Sequence, residues 1–265
     1  MKPLDRKIAL VTGASSGIGA AIAREFAAAG ADVIVNYHGN AEGAQRTAAA
    51  CTEAGVSALV MQADVGSSAE LERMFAQIDE RFGRIDIYVN NAGITPWMPL
   101  LETPEEVFDS VINTNLRGVF LCSQQSARRM IAQGDGGSIL NVSSVHAAIS
   151  TFHFGVYAAS KGGIEALTRV AAVEWGEHNI RVNALRVGWI LVERDALRPG
   201  DPGFDEYCMR KPLRRVGQPE EVARMAVAVC SDMGSYVTGA IIPVDGGISG
   251  KLNIPEQRDA EGIER

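Results

Sequence analysis

The chain has 265 residues, 46% of them hydrophobic, enough for one large α/β core rather than two small ones. With 25 basic against 32 acidic residues, a net charge of −7 and no basic block, the composition argues against a nucleic-acid or anionic-membrane surface. Cys51, Cys122, Cys208 and Cys230 stand far apart with no Cys-x-x-Cys pair, which fits isolated reduced thiols better than a disulfide frame or a zinc site; no metal is expected.

Residues 8–11 (Ile-Ala-Leu-Val) form a short continuous apolar run, the mark of a strand buried on both faces of a parallel sheet. The run is too short for a signal peptide, and no stretch reaches transmembrane length, so a soluble cytoplasmic protein is expected. In that setting the glycosylation sequon Asn141-Val142-Ser143 is idle. The strand leads into Thr12-Gly13-Ala14-Ser15-Ser16-Gly17-Ile18-Gly19 and then an Ala-rich helix stopped by Gly30. Strand, glycine turn and helix start make a phosphate-binding device: glycines admit close backbone approach, and free N–H groups at the helix start favour negative charge. An ordinary structural turn is the alternative.

Residues 32–37 read as a second strand, whose end at Asn36-Tyr37-His38 has no carboxylate to favour a bare ribose hydroxyl and no Arg to clamp a 2′-phosphate. The choice between NAD and NADP leans to NADP, with His38 contributing partial charge or serving only as a surface residue. A helix over 41–54 and a strand over 58–62 follow, then Asp64-Val65, where Asp64 either receives an adenine amine or helps Ser67 and Ser68 cap the helix over 70–82. The strand over 85–89 runs into Asn90-Asn91-Ala92-Gly93, which suits a polar crossing near a ligand or a plain turn. Thr103-Pro104 opens a long helical region over 108–132 containing Asn115, a poor mid-helix residue that signals a kink or a water site unless it simply faces solvent.

Residues 138–142 form the fifth strand, with Ser143 and Ser144 at its carboxyl end, where open α/β sheets bind ligands. Helix 157–175 begins Tyr157-Ala158-Ala159-Ser160-Lys161, putting a phenol and an ammonium on one face, one turn apart. A fixed cation beside a phenol favours the phenolate. His146 and His153 read as pocket walls or surface groups. After a strand at 181–185, the segment 187–213 lacks a period and reads as a mobile substrate lid, or as an irregular surface excursion. A helix from Pro219 to Cys230, a strand over 236–244 and a polar tail from 253 complete the chain.

The alternation of strands and helices implies a doubly wound parallel sheet of about seven strands with helices on both faces. At this point the chain resembles the short-chain dehydrogenase/reductase family over nearly its whole length. The motifs stand in the family's order: residues 12–19, Asp64-Val65, Asn90-Asn91-Ala92-Gly93, Asn115, Ser144, Tyr157 with Lys161, and Asp245-Gly246-Gly247. The segments 141–146 and 157–163 look most like bacterial glucose 1-dehydrogenases, with 3-oxoacyl-carrier-protein reductases also similar. The resemblance implies a single Rossmann-type catalytic domain over 1–252 with a substrate lid at 187–215. It implies an NAD(P)-dependent oxidoreductase for a small alcohol or carbonyl, such as a sugar or polyol, or a 3-oxoacyl thioester.

The resemblance also implies roles. Tyr157 exchanges a proton with the substrate oxygen, Ser144 holds that oxygen, and Lys161 lowers the tyrosine pKa and binds the nicotinamide ribose. Asn115 keeps a water linked to Lys161. Gly13, Ser15, Ser16, Gly17, Ile18, Gly19, Tyr37, His38, Asp64, Val65, Asn91, Ala92, Gly93, Gly188 and Ile190 would contact the dinucleotide. Pairing of the helices at 108–132 and 157–175 implies a tetramer, or failing that a dimer. Two departures stand out: Val187 replaces the family's Pro before Gly188, and Val192 stands where a Thr is usual. They admit a reading of another class, a dinucleotide-binding regulator without catalysis.

Overall fold

Four consecutive apolar residues without a polar face belong inside a parallel sheet, and β1 (Ile8–Val11) lies there with all its residues buried. In the computed structural model, which describes residues 2–195 and 197–251, β1 pairs in parallel with β2 (Asp32–Tyr37) and β4 (Ile87–Asn90). With β3 (Ala58–Gln62), β5 (Gly137–Ser144), β6 (Ile180–Val187) and β7 (Ile241–Val244) they form one seven-stranded sheet of order β3-β2-β1-β4-β5-β6-β7. Every adjacent pair is parallel. The strand order runs outward from β1 in both directions, which opens a crevice at the carboxyl ends of β1 and β4.

The helices are α1 (Gly17–Ala28), α2 (Ala41–Glu53), α3 (Ser68–Phe82), α4 (Glu105–Ile112), α5 (Gly118–Gln133), α6 (Gly155–Trp175), α7 (Phe204–Met209) and α8 (Pro219–Cys230). On one face of the sheet Ile22 and Phe26 of α1, Cys51 of α2 and Val222 and Ala226 of α8 share a core. On the other, Leu71, Phe75 and Ile78 of α3 pack with Cys122 and Met130 of α5 and Ala172 of α6. The chain is thus a doubly wound Rossmann-type domain.

Three expectations change in detail. The region over 108–132 is not one helix: residues 113–117 wind as a π-helical turn between α4 and α5, with Asn115 in its middle and fully buried. The last strand begins at Ile241 instead of 236, because the chain turns first, with the Val237 N–H on the Gly234 carbonyl and Gly239 at φ +71°. The segment 187–213 is not structureless. Ile190 bridges to Gly217, and Phe204 and Cys208 of α7 pack with Val216 against Trp189, Leu191 and Leu197. The polar tail over 253–265 lies outside the described residues. Among the described residues no helix is long and apolar enough to cross a membrane, and no cluster of His, Cys, Asp and Glu could hold a metal.

Candidate active site

The turn after β1 is built so that no side chain fits inside it. Gly13 and Gly17 adopt φ +61° and +54°. A Cβ on Gly13 would lie 2.9 Å from the Ala92 Cα, and one on Gly19 would collide with the Asn91 side chain and the Gly13 carbonyl. Asn91 holds the turn against the end of β4: its Nδ2 donates to the carbonyls of Thr12 (2.9 Å) and Gly13 (3.1 Å). Thr12 Oγ1 accepts from the N–H groups of Asn91 (3.0 Å) and Ala92 (3.2 Å). From β2, Asn36 Oδ1 accepts from the Gly13 N–H at 3.3 Å while its Nδ2 donates to the carbonyls of Met61 and Ala63. Ser16 precedes α1 without a side-chain cap, and no acidic residue lies in the first turn. The positive end of α1 is met from a distance instead, by Glu193, whose Oε2 accepts from the Gly17 N–H at 3.0 Å. A glycine cradle and a helix start already bound to a carboxylate fit a pyrophosphate.

The π turn explains Asn115. Its Oδ1 accepts from the Ile94 N–H and its Nδ2 donates to the Ile94 carbonyl, both at 2.9 Å, and Nδ2 also meets Ser160 Oγ at 3.3 Å. A Cβ on Gly93 would press on the Asn115 Oδ1 at 3.2 Å. Asn115 therefore ties the loop after β4 to the start of α6.

Ser144, Tyr157 and Lys161 converge beside this loop. Ser144, 5% exposed at the end of β5, accepts the His146 N–H on Oγ at 3.2 Å. Tyr157, half-buried in the first turn of α6, faces the hydroxyls of Ser144 and Thr95. Burial pushes its hydroxyl above its ordinary pKa; Ser144, Thr95 and the charge of Arg194 act in the opposite direction. Lys161 is 5% exposed, and its Nζ donates to the Val142 carbonyl at 2.7 Å, 5.5 Å from the centroid of the Tyr157 ring. Burial, and secondarily Arg194, lower the Lys161 pKa to about 8. Lys161 thus donates to the β5 backbone, and burial is the largest influence on the Tyr157 hydroxyl. His146 stacks on Phe154 at 4.6 Å, and His153 meets Trp97 edge-on at 4.3 Å, so each ring packs on an aromatic neighbour.

The remaining expected residues lie along the same edge. Tyr37 packs half-buried on the core, and the His38 carbonyl accepts from Gln62 Nε2 at 2.9 Å. Asp64 Oδ1 accepts from the Gly66 N–H at 2.8 Å, and the capping of α3 falls to Ser67, which accepts from the Glu70 N–H. Val65 is buried beside Gly118. Ser15 and Ile18 are half-buried on the glycine turn. Gly188 lies against the Asp245 backbone, with its N–H on the Val244 carbonyl, and the Ile190 side chain turns inward against Gly217. Thr95, Glu193 and Arg194 were not singled out from the sequence. Thr95 follows a recognised motif closely enough to have been found; the other two sit in a segment without periodicity.

The chain is similar to known proteins over nearly its whole length. A family model described as enoyl-(acyl carrier protein) reductase matches residues 13–249. The chain is 40% identical over 247 residues to 3beta-hydroxysteroid dehydrogenase 1 of Eggerthella lenta, covering 93% of this chain and 95% of that protein. It is 39% identical to the L-rhamnose 1-dehydrogenase (NAD(P)(+)) of a Sphingomonas species, over 94% and 98% of the two chains. A crystal structure of a gluconate 5-dehydrogenase from Burkholderia cenocepacia, in complex with NADP and tartrate, superposes with a TM-score of 0.88 at 34% identity, covering 94% and 97% of the chains.

Proposed function

The chain belongs to the short-chain dehydrogenase/reductase family, an oxidoreductase of CH–OH groups, and from that premise we propose that Tyr157, Ser144 and Lys161 are its catalytic residues. The observation that supports this most is the buried Lys161 ammonium, held at 2.7 Å on the Val142 carbonyl one helical turn from a phenol that faces Ser144. When bound, NAD(P) supplies the hydride chemistry that no side chain performs.

The residues then divide the remaining work. Tyr157 exchanges the proton with the substrate oxygen at its hydroxyl. Ser144 Oγ accepts from His146, which leaves its own O–H free to donate to the same oxygen. Lys161 uses one N–H on Val142, and its two others are available to a ribose. Asn115, with its side-chain amide engaged on Ile94, positions the loop after β4, alongside the water-keeping role the resemblance implies. The glycine turn from Gly13 to Gly19 and the end of α1 receive the pyrophosphate, and Asp64, Val65, Asn91, Ala92 and Gly93 flank the adenosine and nicotinamide sides. The end of β2, without a carboxylate, supports NADP over NAD.

A sugar or polyol substrate draws support from the L-rhamnose and gluconate relatives. A second reading, a 3-oxoacyl thioester, is favoured by the apolar rim, where Ile94, Trp97, Leu100 and Phe152 are 38%, 66%, 68% and 83% exposed. Phe120 of α5 and Val170 and Val173 of α6 are also exposed, which supports pairing through these helices into a tetramer. The test is turnover of a panel of sugars, polyols and oxoacyl thioesters, followed by nicotinamide absorbance with each cofactor. Tyr157→Phe abolishes turnover and spares cofactor affinity, while Lys161→Ala weakens both. Cofactor binding without turnover on any substrate, in wild type as in Tyr157→Phe, overturns the catalytic reading in favour of a regulator.

A further inference from the structure

Residues 189–195 form a strap across the start of α1. Its base is fixed by the bridge to Gly217: the Gly217 N–H donates to the Trp189 carbonyl at 3.0 Å, and the Leu191 N–H to the Gly217 carbonyl at 2.9 Å. Its tip is a compact turn. The Asp195 carboxylate accepts from the Val192 N–H (2.8 Å) and from Trp189 Nε1 (3.2 Å), and the Asp195 N–H returns to the Val192 carbonyl at 3.1 Å. Arg198 reaches back to the Glu193 carbonyl. This turn presents two side chains to Gly17. Val192 Cγ1 lies 3.1 Å from where a Gly17 Cβ would stand, and Glu193 Oε2 accepts the Gly17 N–H at 3.0 Å. Glu193 thereby supplies the capping acceptor that Ser16 does not provide.

We infer that Glu193 is an internal anion held on the N–H group that receives the dinucleotide's pyrophosphate, so that cofactor binding must displace it and the strap with it. The inference rests on the dinucleotide reading above. One amide hydrogen has one strong acceptor, and a carboxylate and a pyrophosphate repel each other at the same helix end. Affinity for NAD(P) is then set partly by a residue that touches the cofactor's site only when the cofactor is away. Val192, in the position where relatives of this type usually carry Thr, belongs to the same contact: its methyl group packs on Gly17 and helps seat the carboxylate.

The test compares wild type with Glu193→Ala and Glu193→Gln, changes at an exposed side chain. NADPH is titrated by its own fluorescence, and amide hydrogen exchange is followed at Gly17 and the first turn of α1 without cofactor. Losing one cap of this kind tightens NADPH binding by about 3- to 20-fold in Glu193→Ala, with Glu193→Gln in between, and speeds exchange at Gly17. NADPH bound by both proteins with equal or weaker affinity in Glu193→Ala overturns the strap alone, as does unchanged exchange at Gly17. Faster exchange with neither NADPH nor NADH bound by either protein overturns the dinucleotide reading, and the displacement with it.

Discussion

Replacing Lys161 with methionine weakens turnover yet leaves the protein at least as stable at neutral pH, because the fold holds this ammonium against its preference for water. Lys161 is 5% exposed, and burial lowers its pKa from an ordinary 10.5 to about 8. The folded-state pKa is below the unfolded one, so the unfolded chain binds more protons between these values. Stability therefore rises with pH across that window. At pH 7 the charged form is disfavoured in the fold by about 3 kcal/mol, and by pH 10 less than about 1 kcal/mol of that remains. Methionine removes the charge but also deprives the Val142 carbonyl of its 2.7 Å donor, a loss of about 1–3 kcal/mol at either pH. The pH-dependent part is isolated by difference: wild type gains about 2 kcal/mol on Lys161→Met between pH 7 and pH 10. Urea denaturation followed by tryptophan fluorescence at the two pH values measures it. A stability difference that stays flat, or that moves against wild type as pH rises, refutes the desolvated ammonium.

Other perturbations test other contacts. Asn115→Ala strands the N–H and carbonyl of Ile94 and lowers stability by about 2–4 kcal/mol, read from the thermal midpoint. Glu165, 4% exposed, accepts from Ser143 Oγ at 3.0 Å and from Arg186 Nε and Nη2 at 2.8 and 2.6 Å. Glu165→Gln uncouples Arg186, which keeps some access to water, so the loss is about 3 kcal/mol in chemical denaturation, the low end for a broken buried pair. The cysteines are all buried, and burial pushes the thiols of Cys51 and Cys230 up to about 11 and Cys122 up to about 12. The native protein at pH 8 should therefore leave a disulfide reagent such as DTNB unreacted, with thiol release only on unfolding. Prompt reaction of the native protein refutes this packing.

What the sequence disclosed was local. The apolar run at 8–11, the glycines behind it and the four-residue spacing of Tyr157 and Lys161 are periodicity and turn chemistry, and they reappear as β1, its cradle and the first turns of α6. Contacts between distant elements did not show. That the Lys161 Nζ would choose the Val142 carbonyl over the phenol depends on how α6 lies on β5, which no spacing encodes. The partner of Asn115 is a backbone 21 positions away, and the acceptor of Gly17 is 176 positions on. Only the poor helix propensity of Asn115 hinted at the first, and a segment rich in Gly and Pro concealed the second.

The π turn at 113–117 also limits how this protein can change. A wide turn holds an extra residue within an otherwise α-helical path, and each residue of an α-helix advances by about 100°. Were the same residues wound as an unbroken α-helix, every side chain from Gly118 onward would swing round by that angle. Cys122 and Met130 would leave the interior, and Phe120 would change sides. The bulge is thus a phase setting shared by the loop anchor and by the outer wall of α5, and neither can drift unless the other follows.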